Sequence, residues 1–305
     1  MKKIRLGGTG PEVSEIGLGC MRFASLDVPA VSELIATAIE EGINFFDHAD
    51  IYGGGRSEEL FAKALKNLPV SRDDVVLQSK CGIRRGYYDF SKEHIIGSVE
   101  GSLKRLDTDY LDVLLLHRPD TLMEPEEVAE AFDCLKRQGK VRYFGVSNHN
   151  PMQIELLGKY LEQDLIVNQM QLSIAHCLMI DEGLNVNIDN SLSPMHTGGL
   201  LEYCRLKNIT IQAWSPFQYG FFEGSFLGSE RYGELNREID AIAAEKGVTN
   251  SAIAIAWILR HPAKIQPIVG TTNANRLADI AKASTVSLSR QEWYKLYLAT
   301  GKRLP

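Results

Sequence analysis

The chain has 305 residues, 44% of them hydrophobic and 24% charged, with a formal net charge of −6. That is the balance of a soluble globular protein, and the acidic excess argues against nucleic acid or an anionic membrane as main partner, since both need a basic surface. Five widely spaced cysteines (Cys20, Cys81, Cys134, Cys177, Cys204) without a CxxC pair disfavour a disulfide framework or a zinc site, so no metal is expected.

The N-terminus, MKKIRLGGTG, lacks the apolar run of a signal peptide. No stretch reaches the roughly 18–20 apolar residues of a membrane span. A reduced, cytoplasmic setting is therefore expected. KKIRL, GGTGP and EVSEIGLG read as a small β-hairpin around a Gly/Pro turn, capping one end of the fold.

From there, apolar strand-like runs alternate with helix-like segments, and no linker divides residues 1–305, which read as a single domain. The predicted strands are 15–20, 43–48, 75–80, 111–117, 142–148, 166–171, 210–215 and 265–270. Helical spacing of apolar residues predicts helices in 31–42, 56–67, 91–106, 124–139, 150–161, 194–208, 234–262 and 273–283. Near-continuous apolar strands imply burial on both faces, hence a parallel sheet covered by helices. Eight such β-α units match a (β/α)8 TIM barrel, here with the N-terminal hairpin and an extra C-terminal helix over 289–299. An open doubly wound sheet predicts GxGxxG after the first strand, and GLGCMRF lacks it. The long connections 172–193 and 216–232 should build the active-site rim.

Barrel chemistry gathers at the C-terminal ends of strands. Asp47 ends the second predicted strand and Tyr52 follows in its loop; Lys80 and His117 end the third and fourth. Alone, each has an ordinary reading: a capping or paired acid, a packing phenol, a solvated charge, a hydrogen-bonded strand terminus. Placed on one edge they suit protonation of an oxygen that gains negative charge, as when a carbonyl is reduced by hydride. An ammonium at Lys80 lowers the Tyr52 phenol, Asp47 keeps that lysine charged, and His117 donates a hydrogen bond or shares the proton.

The motifs FFDHADIYG, SKCG, LDVLLLHRPD, KVRYFGVSN, NQ and AWSPF, in this order from near Gly17 to about Arg276, make the chain resemble the aldo-keto reductase family, NADP(H)-linked barrel oxidoreductases. The resemblance implies Tyr52 as general acid, Lys80 and Asp47 tuning it, and His117 orienting the carbonyl. It also implies Ser147, Asn148 and Gln169 on a nicotinamide carboxamide and Trp214 stacked on the ring, although Trp214 could equally be a core aromatic. Ser215, Pro216, Phe217 and Gln218 would follow the pyrophosphate, and Gly19, Cys20 and Met21 complete the cofactor set after the first strand.

The segment 268–280 reads as a strand running into a helix N-terminus, a natural phosphate site. Gly270, Thr271, Thr272 and Arg276 would take the adenosine 2′-phosphate, unless Arg276 is a solvated helix charge. Gly270 stands where the family often has lysine, and Ile280 where it often has an adenine-contacting Asn; NADP(H) remains the expected cofactor. Met21, Phe23, Tyr87, Tyr88 and the 172–193 loop are candidates for a partly apolar pocket, with a small-molecule carbonyl as partner and a monomer favoured. The expected activity is reduction of an aldehyde or ketone to an alcohol with NADPH. The rival is a cofactor-sensing regulatory protein on the same fold with little turnover, as in the potassium-channel β subunits that resemble the family. A metal-dependent barrel isomerase or lyase would want more inward carboxylates and histidines.

Overall fold

The computed structural model of the protein describes residues 1–304. The chain opens with a hairpin of β1 (Lys3–Arg5) and β2 (Glu12–Ser14), paired antiparallel with Ile4 opposite Val13. Then come β3 (Gly17–Gly19), α1 (Val28–Glu40), β4 (Phe45–Asp47), α2 (Arg56–Leu65), β5 (Val76–Cys81), a second hairpin of β6 (Ile83–Arg84) and β7 (Tyr87–Tyr88), and α3 (Lys92–Leu106). They are followed by β8 (Leu111–Leu116), α4 (Pro125–Arg137), β9 (Val141–Ser147), α5 (Pro151–Gly158), β10 (Leu165–Gln171), α6 (Leu178–Leu184) and α7 (Leu200–Leu206). The last elements are β11 (Thr210–Trp214), α8 (Gly233–Lys246), α9 (Asn250–Leu259), β12 (Gln266–Val269), α10 (Ala274–Ala281) and α11 (Arg290–Leu298).

Strands β3, β4, β5, β8, β9, β10, β11 and β12 close in that order into a parallel barrel, β12 pairing back to β3. All eight lie within or beside the segments expected from sequence. They read well because both faces are buried: every residue of β5 and β8 is shielded. Outward residues such as Phe46 and Leu77 join one large core with the helices. There the Phe46 and Phe61 rings stand 5.1 Å apart, and truncating either to alanine would cost roughly 3–5 kcal/mol. Inward residues Phe45, Val76, Val113, Leu115 and Ile268 pack with Leu6 and Val13 of the first hairpin in a second core. The hairpin thus plugs the end of the barrel away from the chemistry.

Helix starts follow their caps. Asp27 accepts from Ala30 N ahead of α1, Asn150 and Gln153 form a capping box on α5, and Ser289 and Glu292 form another on α11. The expected C-terminal helix docks through Trp293, stacked 4.7 Å from Trp257, with each indole donating to the other's backbone carbonyl at 3.0 Å.

Two segments depart from expectation. The stretch 234–262 is two helices, because Gly247 turns left-handed (φ 65°) to end α8 and Thr249 caps α9 afresh. The segment 194–208 is helical only from Leu200, since Gly198 and Gly199 adopt φ of 70° and 72°. The β6–β7 hairpin and α6, which lies inside the 172–193 connection, were not expected. No helix among the described residues is long and apolar enough to cross a membrane, and no group of three or more His, Cys, Asp or Glu among them could hold a metal.

Candidate active site

Side chains alternate across a strand, and β5 shows what that alternation places. Val76, Gln78 and Lys80 face the barrel interior; Leu77 and Cys81 face the helices, and Ser79 donates to Glu58 of α2 at 2.7 Å. The register Asp47↔Gln78 brings the end of β4 beside Lys80. A one-residue slip would turn Lys80 into the helix layer.

Lys80 Nζ donates to Asp47 Oδ1 at 2.7 Å and Oδ2 at 2.8 Å, to the His48 carbonyl at 2.8 Å, and lies 3.1 Å from Tyr52 Oη. Lys80 is fully buried and Asp47 is 3% exposed. Burial is the largest single influence and by itself would neutralise the lysine, but the Asp47 carboxylate and Tyr52 together outweigh it and hold the ammonium above its ordinary value. Tyr52 reaches this pair because Gly53, Gly54 and Gly55 all take positive φ behind it. A Cβ on Gly53 would sit 2.3 Å from that of Ala24.

One expectation is reversed in its net direction. Lys80 does pull the Tyr52 phenol down, but burial is the larger influence and Asp47 adds to it, so the phenol stands above its ordinary value. Tyr52 is therefore protonated near neutrality, the state a proton donor needs. His117 presents its ring edge-on to Tyr52, centroids 6.0 Å apart. Burial, with the Lys80 and Arg118 cations, holds its imidazole well below the ordinary value, hence neutral. Its Nδ1 is buried without a partner among the described residues.

Beneath this group lies a tier of amides from which sequence reasoning named only Gln169, and that for the carboxamide. Gln78 Nε2 donates to Asp47 Oδ1 at 2.6 Å and Gln212 Oε1 at 2.8 Å. Gln169 Nε2 donates to the same two acceptors at 3.1 and 3.0 Å. Gln212 passes the chain to Gln266 at 2.8 Å, and Gln266 to the Ser14 carbonyl at 2.8 Å. Four strands thus hold Asp47 through amides that register aligns, Gln169↔Gln212 and Gln212↔Gln266. The signal was a glutamine at an inward position in QSK, IQA and IQP, each set in an otherwise apolar run. Arg118, directly after His117, was also passed over. Its guanidinium lies 5.6 Å from the Trp214 ring and 5.4 Å from that of Phe221.

The expected cofactor residues gather on the same rim. Asn148 takes a left-handed conformation (φ 61°), its Nδ2 donating to Ser147 Oγ at 2.8 Å and its Oδ1 accepting from Trp214 Nε1 at 3.1 Å. Ser147 Oγ in turn donates to the Gln169 carbonyl at 2.8 Å. These residues brace one another and leave the half-buried Trp214 face at the rim. Ser215 is left-handed (φ 50°), turning the chain into buried Pro216 and half-buried Phe217 and Gln218, and Gln218 Oε1 is buried without a partner among the described residues. Beside α10, a Cβ on Gly270 would meet nothing within 4 Å. Thr272 and Arg276 are exposed there, with Asn273 capping the Arg276 amide. Aromatic face, open glycine and a helix start with an exposed guanidinium together have the make-up of a dinucleotide site. Cys20 departs from the rest: it is fully buried, with Sγ toward the Leu18 carbonyl, its amide donating to the Asp47 carbonyl and its own carbonyl accepting from Phe23, which leaves 40%-exposed Met21 as the part of this turn open to a ligand.

Phe23, expected at the pocket, is instead fully buried in the core, because the turn after β3 folds it inward. Tyr87 and Tyr88 are exposed on the β6–β7 hairpin. Asp50, in the catalytic loop, faces away from Tyr52. It lines a cavity of about 640 Å³ with Arg84, His94, Ser98 and Arg105, and burial raises its carboxyl to about 6.

The sequence profile of the Aldo/keto reductase family matches residues 15–297. The chain is 39% identical over 277 residues to the uncharacterized oxidoreductase YcsN of Bacillus subtilis, covering 87% of this chain and 86% of that one. It is 37% identical over 307 residues to a 6-dehydroglucose reductase of Agrobacterium fabrum, covering 96% of each. The solved structure of a thermostable aldo-keto reductase, Tm1743, in complex with the inhibitor epalrestat superposes with a TM-score of 0.79 at 30% identity, covering 98% of this chain and 100% of that one.

Proposed function

The chain belongs to the aldo/keto reductase family of oxidoreductases, and from that premise we propose that it reduces an aldehyde or ketone to an alcohol with NADPH, Tyr52 acting as general acid. The observation that carries this reading is Lys80, whose buried ammonium joins the Asp47 carboxylate to the Tyr52 hydroxyl.

A bound reduced nicotinamide supplies the hydride. Tyr52 gives its phenolic proton to the carbonyl oxygen as that oxygen gains charge. The Lys80 ammonium stabilises the phenolate left behind, and Asp47 keeps the lysine charged through the step. His117, neutral, donates one N–H to the same oxygen and fixes its position. Gln78 and Gln169 hold Asp47 in place. Trp214, braced by Asn148, would offer a face to the nicotinamide. Ser147, Asn148 and Gln169 would hold its carboxamide, with Gly19 and Met21 beside it. Ser215–Gln218 would hold the pyrophosphate, and Gly270, Thr271, Thr272 and Arg276 the 2′-phosphate.

The test is NADPH consumption with a panel of aldehydes, ketones and hexose aldehydes; one similar protein is described as a 6-dehydroglucose reductase. Saturable turnover supports the reading. Tight NADPH binding with no turnover across the panel would sink it in favour of a cofactor-sensing protein.

A further inference from the structure

Arg118 follows His117 at the end of β8 and has no described anion to serve. The charged or ionisable groups that act on it are the hydroxyls of Tyr88 and Tyr52, and no carboxylate is among them. It is half-buried, resting against Trp214 and Phe221. Aromatic faces recover part of a cation's lost hydration, but they leave the in-plane N–H groups of the guanidinium fork without acceptors. A half-buried guanidinium with no carboxylate partner among the described residues keeps its donors available to an anionic ligand. The aromatic groups around it are unusually open: Phe221 is 60% exposed, Phe222 56% and Tyr88 44%. Phe222 is held at φ 58°, with its ring 4.7 Å from that of Phe221. The mouth of the barrel at this point is an apolar rim with one guanidinium in it, carried by the residue next to His117, whose ring meets that of Tyr52 at 6.0 Å.

We propose that Arg118 is the anion-recognition residue of the substrate pocket, and that the preferred substrates are carbonyl compounds with an apolar body and a carboxylate or equivalent anion at the end away from the carbonyl. The inference rests on the reductase reading above. A planar fork matches a carboxylate with two parallel hydrogen bonds, and the tyrosine and phenylalanine faces cover the body of the molecule. The pyrophosphate of the dinucleotide is the other source of an anion. Its candidate residues begin at Ser215, next to the Trp214 on which Arg118 rests, so the dinucleotide affinity of Arg118 variants is what separates the two anions.

The experiment compares kcat/KM for para-carboxybenzaldehyde and para-nitrobenzaldehyde in the wild type, Arg118→Lys and Arg118→Met, with the NADPH Kd of each by fluorescence titration. The wild type should prefer the carboxylate, and Arg118→Met should lower the preference ratio roughly 10- to 100-fold, the range for a charge-assisted pair. Arg118→Lys should retain part of it and lose the advantage of the fork. A wild-type ratio near one, or a ratio that Arg118→Met leaves in place, overturns the inference while the reductase reading stands. A large loss of NADPH affinity in Arg118→Met with an unaltered ratio assigns the guanidinium to the cofactor and also overturns it. If the wild type reduces neither aldehyde and no other carbonyl, both readings fall together.

Discussion

Lys80 Nζ lies 3.1 Å from Tyr52 Oη while chelating both oxygens of Asp47 at 2.7 and 2.8 Å. One buried cation therefore answers to two partners with opposite demands. Asp47 needs it charged; Tyr52, pushed up by burial, is partly pulled back by it.

Tyr52→Phe removes the donor and leaves the ring. We expect kcat/KM for an aldehyde to fall roughly 10²–10⁴-fold, the contribution of a positioned proton donor, while NADPH affinity by fluorescence titration stays close to wild type. Near-normal turnover would show that the proton comes from elsewhere.

Lys80→Met strands Asp47, a 3%-exposed carboxylate, and should destabilise the fold by about 3–5 kcal/mol. Pairing it with Asp47→Leu should restore part of that loss in chemical denaturation but no activity. The phenol, freed of the cation's pull, should rise, moving the basic limb of any residual pH–rate profile to higher pH. A limb that moved down would contradict the geometry.

Arg276 is exposed at the start of α10. Arg276→Ala should weaken NADPH roughly 10- to 100-fold, as loss of a charge-assisted pair implies, and leave NADH nearly untouched. Equal affinity for the two dinucleotides in the wild type, unchanged in the variant, would remove the 2′-phosphate role.

His48 is fully buried against Phe61, ring centroids 4.7 Å apart, and burial lowers its imidazole to about 3. Unfolded, it titrates near 6.5. Between these values the unfolded chain binds the extra proton, so this residue makes stability fall as pH drops from about 6.5 toward 3, by about 1.4 kcal/mol per pH unit at most. His48→Leu should flatten the acid side of the stability–pH curve measured by urea unfolding. An unchanged slope would mean the ring finds a proton partner in the fold.

Near the C-terminus, Lys302 Nζ reaches Asp181 Oδ2 at 2.8 Å and Cys177 Sγ at 2.7 Å, and Tyr297 donates to Asp181 at 2.9 Å. This ties the end of the chain to α6 over the barrel. Lys302→Met leaves a buried acid unpaired and should lower Tm by several degrees, the shift expected for a few kcal/mol lost. It should also slow alkylation of Cys177, since burial already pushes this thiol to about 12 and Lys302 is what pulls it down. No change in either would show the tie to be idle.

Sequence alone determined the barrel and the strand edge that Asp47, Lys80 and His117 share. Strands buried on both faces leave long apolar runs, helices carry their caps beside them, and Asp47, Lys80 and His117 each close such a run, so the shared edge could be read before any side chain was placed. It did not reveal what lay outside a local pattern. Phe23 went inward because the turn after β3 packs it there, and 234–262 broke in two because Gly247 went left-handed. The glutamine tier joins Gln78, Gln169, Gln212 and Gln266 across gaps of dozens of residues, and only closure of the barrel and its register bring those amides together. Likewise the balance at Tyr52 was set by burial against a cation, and the aromatic surroundings of Arg118 were set by how the 216–232 loop brings Phe221 to it. Patterning along the chain fixes which face a residue takes; the tertiary structure decides what that face meets, because desolvation and pairing depend on distances between segments that no local spacing encodes.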